Sequence, residues 1–288
     1  MKRVITGLIF STVTFVSILL GGAWLAVFLA ILCFLGEIEY VKLNESKGNR
    51  PSLTFIGIFG FLIFFTALLG RYDWMIAIVS CATITAFLAI MSRAKATIAD
   101  TATSLLGVLY GMLLPAHLVL LRGLDSHGLT FLNYTFNPHG FFKLNEGLGY
   151  LILVFCVILA TDIVAFYVGT KLGKTPLAPV ISPKKTVEGS IGGLLGAVII
   201  SVLVGTSIHI DILNCIFAAI IFSVFAQVGD LAESMMKRDA NAKDASDILP
   251  GHGGILDRAD SFIFTAAVAY YYFNYVYIYV RLLSERLF

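Results

Sequence analysis

The chain has 288 residues, of which 58% are hydrophobic and only 13% charged, and its formal net charge is +2. A soluble domain carries about 25% charged residues, so half that density cannot cover the surface of a water-soluble globule of this size. The composition therefore excludes soluble enzymes, secreted disulfide scaffolds and disordered chains, and the small net charge indicates no nucleic-acid partner. We expect an integral membrane protein.

Long apolar runs predict the membrane-spanning elements in chain order. About 20 apolar residues cross the hydrocarbon core as a helix that satisfies its own backbone hydrogen bonds, whereas a barrel needs short strands of alternating polarity. Nine such runs occur, at 4–20, 23–38, 53–69, 74–91, 101–121, 147–170, 191–210, 213–229 and 261–280. The predicted fold is an all-α polytopic bundle of about nine transmembrane helices. Only Gly21-Gly22 separates the first two runs, and the pair around Asp211 is also closely joined.

Polarity divides the chain into three regions. Residues 1–100 hold about four N-terminal helices, and residues 101–146 hold one more helix and an aromatic-rich outer loop. Residues 147–288 contain two polar loops, 171–190 and 230–260, and the second carries 11 of the 38 charged residues. We therefore expect the chemistry in the C-terminal half.

The distribution of basic residues predicts the orientation. Fifteen of the 20 Lys and Arg residues fall on the side of the N-terminus, which the positive-inside rule places in the cytoplasm. The basic start of the chain resembles a signal peptide, but eight further spans favour an uncleaved first helix. The four cysteines lie in apolar runs without a CxxC pair, which is typical of buried apolar side chains.

Closely spaced carboxylates flank the second polar loop. Asp257 and Asp260 are three residues apart, so they share one face of a helix, and Asp230 closes the preceding span. Clustered carboxylates repel one another unless they are protonated or bridged by a cation, and such oxygen ligands suit Mg²⁺ bound to substrate phosphates. We predict that these three residues hold a metal ion. The alternative is that they are solvated charges at helix ends.

Basic and glycine-rich segments near these carboxylates predict phosphate binding. Glycines let backbone N–H groups approach an anion closely, and Lys and Arg neutralise phosphate charge. The candidate catalytic residues are Lys237, Arg238, Lys243, Asp244, His252 and Arg258. The candidate substrate-binding residues are Asp162, Lys174, Ser182, Lys184, Lys185, Thr186, Glu188, Gly253 and Gly254. The residue His252 could contact phosphate, transfer a proton or only shape the turn. An aspartate within an apolar run, such as Asp162, should face the bundle interior or an aqueous cavity.

The second polar loop resembles the signature of the phosphatidate cytidylyltransferase (CDP-diacylglycerol synthase) family. All fixed positions match over 27 residues: Ser234, Lys237-Arg238, Lys243-Asp244, Pro250-Gly-His-Gly-Gly254, Asp257-Arg258 and Asp260. The segments 173–189 and 229–234 are similar to the family as well. One departure lies at 162–166, which reads Asp-Ile-Val-Ala-Phe where the family has Asp-Ser/Thr-Gly-Ala-Tyr.

The resemblance implies that CTP and phosphatidic acid react to give CDP-diacylglycerol and pyrophosphate. It also implies Mg²⁺ and a second, monovalent cation such as K⁺. It further implies a homodimer that is embedded among the lipids of the inner (plasma) membrane, with an active site that faces the cytoplasm. One alternative function is that of another CTP-using membrane enzyme, such as a polyprenol kinase or an ether-lipid synthase. The reaction products would distinguish such an enzyme from a phosphatidate cytidylyltransferase. The other alternative is a cation- or proton-coupled transporter that uses the aspartates as its pathway.

Overall fold

Helices dominate the computed structural model, which describes residues 2–92, 97–124, 146–246 and 253–287. The α-helices are α1 (Lys2–Leu20), α2 (Gly22–Glu45), α3 (Leu53–Leu68), α4 (Tyr72–Ser92), α5 (Ile98–Leu106), α6 (Leu114–Arg122), α7 (Glu146–Leu172), α8 (Val187–Ser207), α9 (Ile212–Asp239), α10 (Leu256–Tyr271) and α11 (Tyr277–Leu287). Two π-helical segments, Gly107–Leu113 and Tyr272–Val276, join α5 to α6 and α10 to α11. The strands β1 (Pro176–Ala178) and β2 (Ser182–Thr186) form an antiparallel hairpin.

Several helices have the length and composition of membrane spans. Six qualify within the described residues: Gly22–Glu45, Tyr72–Ala89, Ile98–Arg122, Glu146–Leu172, Val187–Ser207 and Ile212–Asp239. Two further apolar helices, Phe10–Leu20 and Leu53–Leu68, are shorter. The prediction of a helical, multi-pass membrane protein is confirmed, while the count of nine spans and the cytoplasmic N-terminus stay predictions.

The chain forms two compact units, and α9 and α10 contribute residues to both. The first unit comprises Met1–Lys143 and Met236–Ala259, and the second comprises Leu144–Met235 and Asp260–Phe288. The three regions that polarity predicts along the chain stay a prediction.

In the first unit, the break between α1 and α2 falls at the predicted glycine pair. Gly21 has a φ of 63°, and an added Cβ there would lie 2.9 Å from the guanidinium carbon of Arg122. That buried guanidinium donates hydrogen bonds to the carbonyl oxygens of Ile18 (3.0 Å) and Leu19 (3.2 Å). Because the last carbonyls of a helix lack partners within it, Arg122 stabilises the end of α1.

In the second unit, α8 packs against α7 through a stripe of glycines. A Cβ added at Gly192, Gly193 or Gly196 would lie 2.6–2.8 Å from atoms of Val168, Thr161 or Val164, respectively. Small residues of this kind let two helices approach closely where lipid offers no hydrophobic driving force. The close pairing fixes Asp162 of α7 relative to the hairpin that joins the two helices.

The helix α9 extends past the point where its apolar run ends. Residues 230–239 are helical, so the segment predicted as a loop over 230–260 begins inside α9 and ends inside α10. The physical reason is that loss of hydropathy marks the limit of the hydrocarbon core, whereas 230–239 contain no helix-breaking Pro or Gly.

Candidate active site

Asp257, in the first turn of α10, organises the described part of the signature within the first unit. Its Oδ1 accepts a hydrogen bond from Lys237 Nζ at 2.6 Å, and both side chains are largely buried, with exposed fractions of 11% for Asp257 and 12% for Lys237. Its Oδ2 accepts from the backbone N–H groups of Ala245 (3.1 Å) and Gly254 (2.8 Å). The carboxylate therefore joins the end of α9, the following turn and the start of α10.

The two described glycines of the signature pack tightly in this unit. Gly253 has a φ of 80°, a conformation that favours glycine, and an added Cβ would lie 3.0 Å from Asp257 Oδ2. A Cβ at Gly254 would lie 2.6 Å from Glu39 Oε2. Both predicted substrate-binding glycines thus also allow close packing around carboxylates.

Glu39 of α2 is a fully buried carboxylate at the start of α10. Its Oε1 accepts hydrogen bonds from the backbone N–H of Ile255 (3.0 Å) and the hydroxyl of Ser246, and its Oε2 accepts from the N–H of Leu256 (2.8 Å). This residue is absent from the candidates predicted from the sequence. Its only signal was a position one residue past the apolar run 23–38, whereas Asp162 lies inside an apolar run.

The other charged residues that the signature contributes to the first unit are exposed. Arg238 donates a hydrogen bond to the carbonyl of Ala242 at 3.0 Å and so closes the turn after α9. Lys243, Asp244 and Arg258 are exposed. The predicted catalytic residue His252 lies outside the described residues.

Three aspartates and one lysine form a cluster in the second unit. Lys185 of β2 makes an ion pair with Asp230 of α9 at 2.6 Å. Ser261 Oγ donates to Asp162 Oδ2 at 3.4 Å, and Ser261 N donates to Asp260 Oδ1 at 2.7 Å. The cluster therefore combines Asp230 and Asp260, predicted as metal ligands, with Asp162 and Lys185, predicted to bind substrate.

A close approach of α9 to α10 creates this cluster. A Cβ at Gly229 would lie 2.5 Å from the carbonyl oxygen of Asp260, so the helices meet beside the two aspartates. Burial, together with the charges of Asp230 and Asp162, raises the pKa of Asp260, one residue before the ninth predicted span, to about 7. The carboxylate thus lacks enough compensating positive charge in the protein itself.

A divalent cation fits the chemistry of this cluster. Three carboxylates face one ammonium group, and oxygen ligands with excess negative charge suit Mg²⁺. No group of three or more His, Cys, Asp or Glu side chains in the described ranges has the spacing that holds a metal ion. The fit to the ion therefore rests on the type of the donor atoms and on their excess of negative charge.

The hairpin before α8 is shaped by two predicted substrate-binding residues. Glu188 accepts hydrogen bonds from the backbone N–H groups of Lys174 (3.0 Å) and Thr175 (3.2 Å). Thr186 caps α8 by accepting from the N–H of Gly189 at 3.1 Å. Their side chains hold the loop backbone, which gives them a structural task besides any contact with substrate.

The other hairpin residues present their side chains differently. Ser182 pairs with Ala178 across the two strands. The side chains of Lys174 and Lys184 are exposed, whereas that of Lys185 is directed to Asp230. Of Lys174, just before the hairpin, and Lys184 and Lys185 within it, the described contacts bring only Lys185 to the carboxylate cluster.

Comparison with known proteins identifies the family. The model of the cytidylyltransferase family matches residues 1–276, nearly the whole chain. The chain belongs to the cytidylyltransferase family.

Several cytidylyltransferases named as phosphatidate cytidylyltransferases are similar to the chain over most of their length. The protein from Synechocystis sp. is 35% identical over 281 residues, which cover 94% of this chain and 95% of the relative. The chloroplastic phosphatidate cytidylyltransferase 4 of Arabidopsis thaliana is 36% identical over 286 residues, covering 93% of this chain and 72% of the relative. The protein from Staphylococcus haemolyticus is 31% identical over 271 residues, covering 91% of this chain and 94% of the relative.

Proposed function

We infer that the protein transfers the cytidylyl group of CTP to phosphatidic acid, which gives CDP-diacylglycerol and pyrophosphate for phospholipid synthesis. The observation that carries this inference is the family match over residues 1–276, together with relatives of that activity that align over nine-tenths of the chain. The described parts of the site support it, since they combine carboxylates, lysines and tightly packed glycines.

The reaction needs positioning and charge neutralisation more than a base. An oxygen of the phosphatidic acid phosphate, already anionic near neutral pH, forms a bond to the α-phosphorus of CTP. The bond between that phosphorus and the bridging oxygen breaks, and pyrophosphate leaves with the electron pair. The protein contributes by aligning the two substrates and by neutralising their charge.

We propose Mg²⁺ as the divalent cation, held by Asp230, Asp257 and Asp260, and K⁺ as a second cation. The crowding of Asp230 and Asp260 supports this assignment, and for Asp257 the support is its place in the signature. When bound, the ion neutralises phosphate charge and stabilises the departing pyrophosphate. Asp162 adds a third carboxylate beside Asp230 and Asp260.

The basic residues would neutralise the phosphates. Lys237, Arg238 and Lys243 from the signature and Lys184 and Lys185 from the hairpin take this role. Asp244, Arg258 and His252 complete the proposed catalytic set. The proposed neighbours of the substrate are Lys174, Ser182, Thr186, Glu188, Gly253 and Gly254.

We also propose that the protein is a homodimer of the inner (plasma) membrane, with the site facing the cytoplasm. The excess of Lys and Arg on one side of the spans supports the orientation. The acyl chains of the substrate would remain among the membrane lipids, which explains why a reaction between phosphates needs a membrane-embedded enzyme.

One assay tests the proposed reaction. Purified protein is incubated with labelled CTP and phosphatidic acid, with and without Mg²⁺, and the lipid phase is analysed. We expect label in CDP-diacylglycerol, release of pyrophosphate and loss of both products after chelation. Label that appears in free CDP beside a phosphorylated alcohol would contradict the proposal and identify a kinase. Cation-dependent flux in proteoliposomes without consumption of CTP would identify a transporter.

A further inference from the structure

We propose that Glu39 is a positioning residue for the reaction: its carboxylate fixes the start of α10, and thereby the Asp257 side chain, from a helix far away in sequence. The proposal rests on the proposed function, since it takes the signature around Asp257 to be part of the active site. It assigns a role in catalysis to α2, which lies outside the signature.

The hydrogen bonds of Glu39 are directed at the segment that carries Asp257. Oε1 accepts from Ile255 N (3.0 Å) and from the Ser246 hydroxyl, and Oε2 accepts from Leu256 N at 2.8 Å. The two backbone donors come immediately before Asp257. Any movement of Glu39 therefore shifts the backbone to which that aspartate is attached.

The burial of Glu39 shows that these bonds are needed. A fully buried carboxylate is costly unless hydrogen bonds satisfy it, and the first N–H groups of a helix carry partial positive charge. Glu39 provides two acceptor oxygens for two N–H donors, that of Ile255 just before α10 and that of Leu256 at its first position. A glutamine has one acceptor oxygen, so its NH₂ group would face one of those donors.

The close approach of Gly254 also restricts the position of the Glu39 carboxylate. Gly254 approaches so closely that an added Cβ would lie 2.6 Å from Glu39 Oε2 and 3.0 Å from Ala245 Cβ. The N–H of Gly254 meanwhile donates to Asp257 Oδ2 at 2.8 Å. The same glycine thus contacts Glu39 and binds Asp257, so the positions of the two carboxylates are coupled.

The primary test is Glu39→Gln, with Glu37→Gln as the matched control. Glu37 is an almost fully buried glutamate on the same helix whose described neighbours include Gly107 and Gly111. We expect Glu39→Gln to lower kcat for CDP-diacylglycerol formation about 10- to 100-fold, as for residues that orient metal-binding side chains. It should also speed hydrogen exchange of the amides at 253–257 but not of those in α7 and α8. The control should change neither.

Two results would overturn the proposal. One is a kcat within about twofold of wild type in Glu39→Gln. The other is faster exchange throughout the protein together with an equal loss in Glu37→Gln, which would indicate a purely structural role. The wild-type assay separates this failure from failure of the proposed function: if wild type forms no CDP-diacylglycerol, the function is wrong, while exchange still tests the contact.

A second pair of variants keeps the proposal testable if Glu39→Gln does not fold. Gly254→Ala should lower kcat because its Cβ pushes the Glu39 carboxylate away. Adding Glu39→Asp shortens the side chain at position 39 by one methylene and makes room for the new Cβ. The kcat of the double variant should therefore be about threefold or more above that of Gly254→Ala. A double variant no more active than Gly254→Ala would show that the two residues are not coupled and would overturn the proposal.

Discussion

Replacing Asp257 by Asn removes one acceptor from a side chain that binds an ammonium group and two backbone amides. Asn has one acceptor oxygen and one NH₂ group. If its oxygen keeps the N–H groups of Ala245 and Gly254, the NH₂ group faces Lys237 Nζ, another donor. In the opposite orientation, the NH₂ group faces two amides. The first arrangement loses fewer bonds, so we expect the variant to break the Lys237–Asp257 ion pair.

The burial of this pair sets the size of the effect. The exposed fractions of Lys237 and Asp257 are 12% and 11%, so solvent screens their attraction weakly. Removing one partner of a buried pair costs about 3–5 kcal/mol, because the other charge loses its counterion. For a protein of this size, the loss corresponds to a fall in melting temperature of about 10 °C. Turnover of CTP should fall by about two orders of magnitude or more, since a charge in the proposed active site is lost.

Melting in detergent and CTP-dependent turnover are measured on four proteins. Besides wild type and Asp257→Asn, the set includes Lys237→Met/Asp257→Asn, which removes both charges and should regain most of the melting temperature without regaining turnover. The matched control is Asp239→Asn, since Asp239 makes an ion pair with Lys47 at the exposed end of α9. That exposed pair contributes less than about 1 kcal/mol, so the control should leave both measurements unchanged.

Two outcomes would refute this reasoning. Near-normal turnover in Asp257→Asn would show that Asp257 does not act in the reaction. A double variant as unstable as Asp257→Asn would show that the loss does not come from breaking the Lys237–Asp257 ion pair. In that case the amide hydrogen bonds, rather than the ion pair, would account for the stability.

Three further predictions concern other contacts. Glu188→Gln should lower kcat/KM by less than about 10-fold, mainly through KM for CTP, because the hairpin amides keep one acceptor; an unchanged KM would contradict this. Gly111→Ala should destabilise the protein by about 1–3 kcal/mol, measured by melting, because its Cβ would overlap Glu37 Oε1. Gly36→Ala should not, because its Cβ would lie 3.9 Å from the nearest atom, Leu256 Cδ1. Lys185→Gln should raise KM for CTP about threefold and lower the Mg²⁺ concentration for half-maximal rate about threefold. If both quantities rise or both fall, the charge argument is refuted.

The sequence predicts features of the fold that depend on local physics. An apolar run must form a helix in lipid because its backbone groups have no other partners, so the spans and the break at Gly21 follow from composition. The end of α9 and the start of α10 are harder to predict from the sequence. The loss of hydropathy after residue 229 marks the edge of the hydrocarbon core, not the end of the helix. Helix α9 continues to Asp239 because the residues beyond that edge still favour a helix.

The site shows where prediction from local patterns stops. The fixed positions of the signature identify Asp257 and Lys237 as functional, but they do not reveal that the two pair with each other. Glu39 lies more than 200 residues before its partners Ser246 and Ile255, and no periodicity connects such distant positions. Only the packing of α2 against the start of α10 reveals the contact. The contacts of Glu188 were not predictable either, since its partners are backbone amides that only the folded hairpin brings near it.

The buried and clustered carboxylates of this charge-poor chain differ in how they are compensated. Glu39 is satisfied by backbone N–H groups at the start of a helix, and Asp257 by a lysine and two amides. In both cases, donor groups of the protein itself hydrogen-bond the carboxylate. Asp230 and Asp260 instead share their surroundings with a third carboxylate and one lysine. Burial, and after it the charges of Asp230 and Asp162, raises the pKa of Asp260 to about 7. Because this cluster, unlike Glu39 and Asp257, has negative charge in excess, an added cation would stabilise it more than it would stabilise either of those two carboxylates.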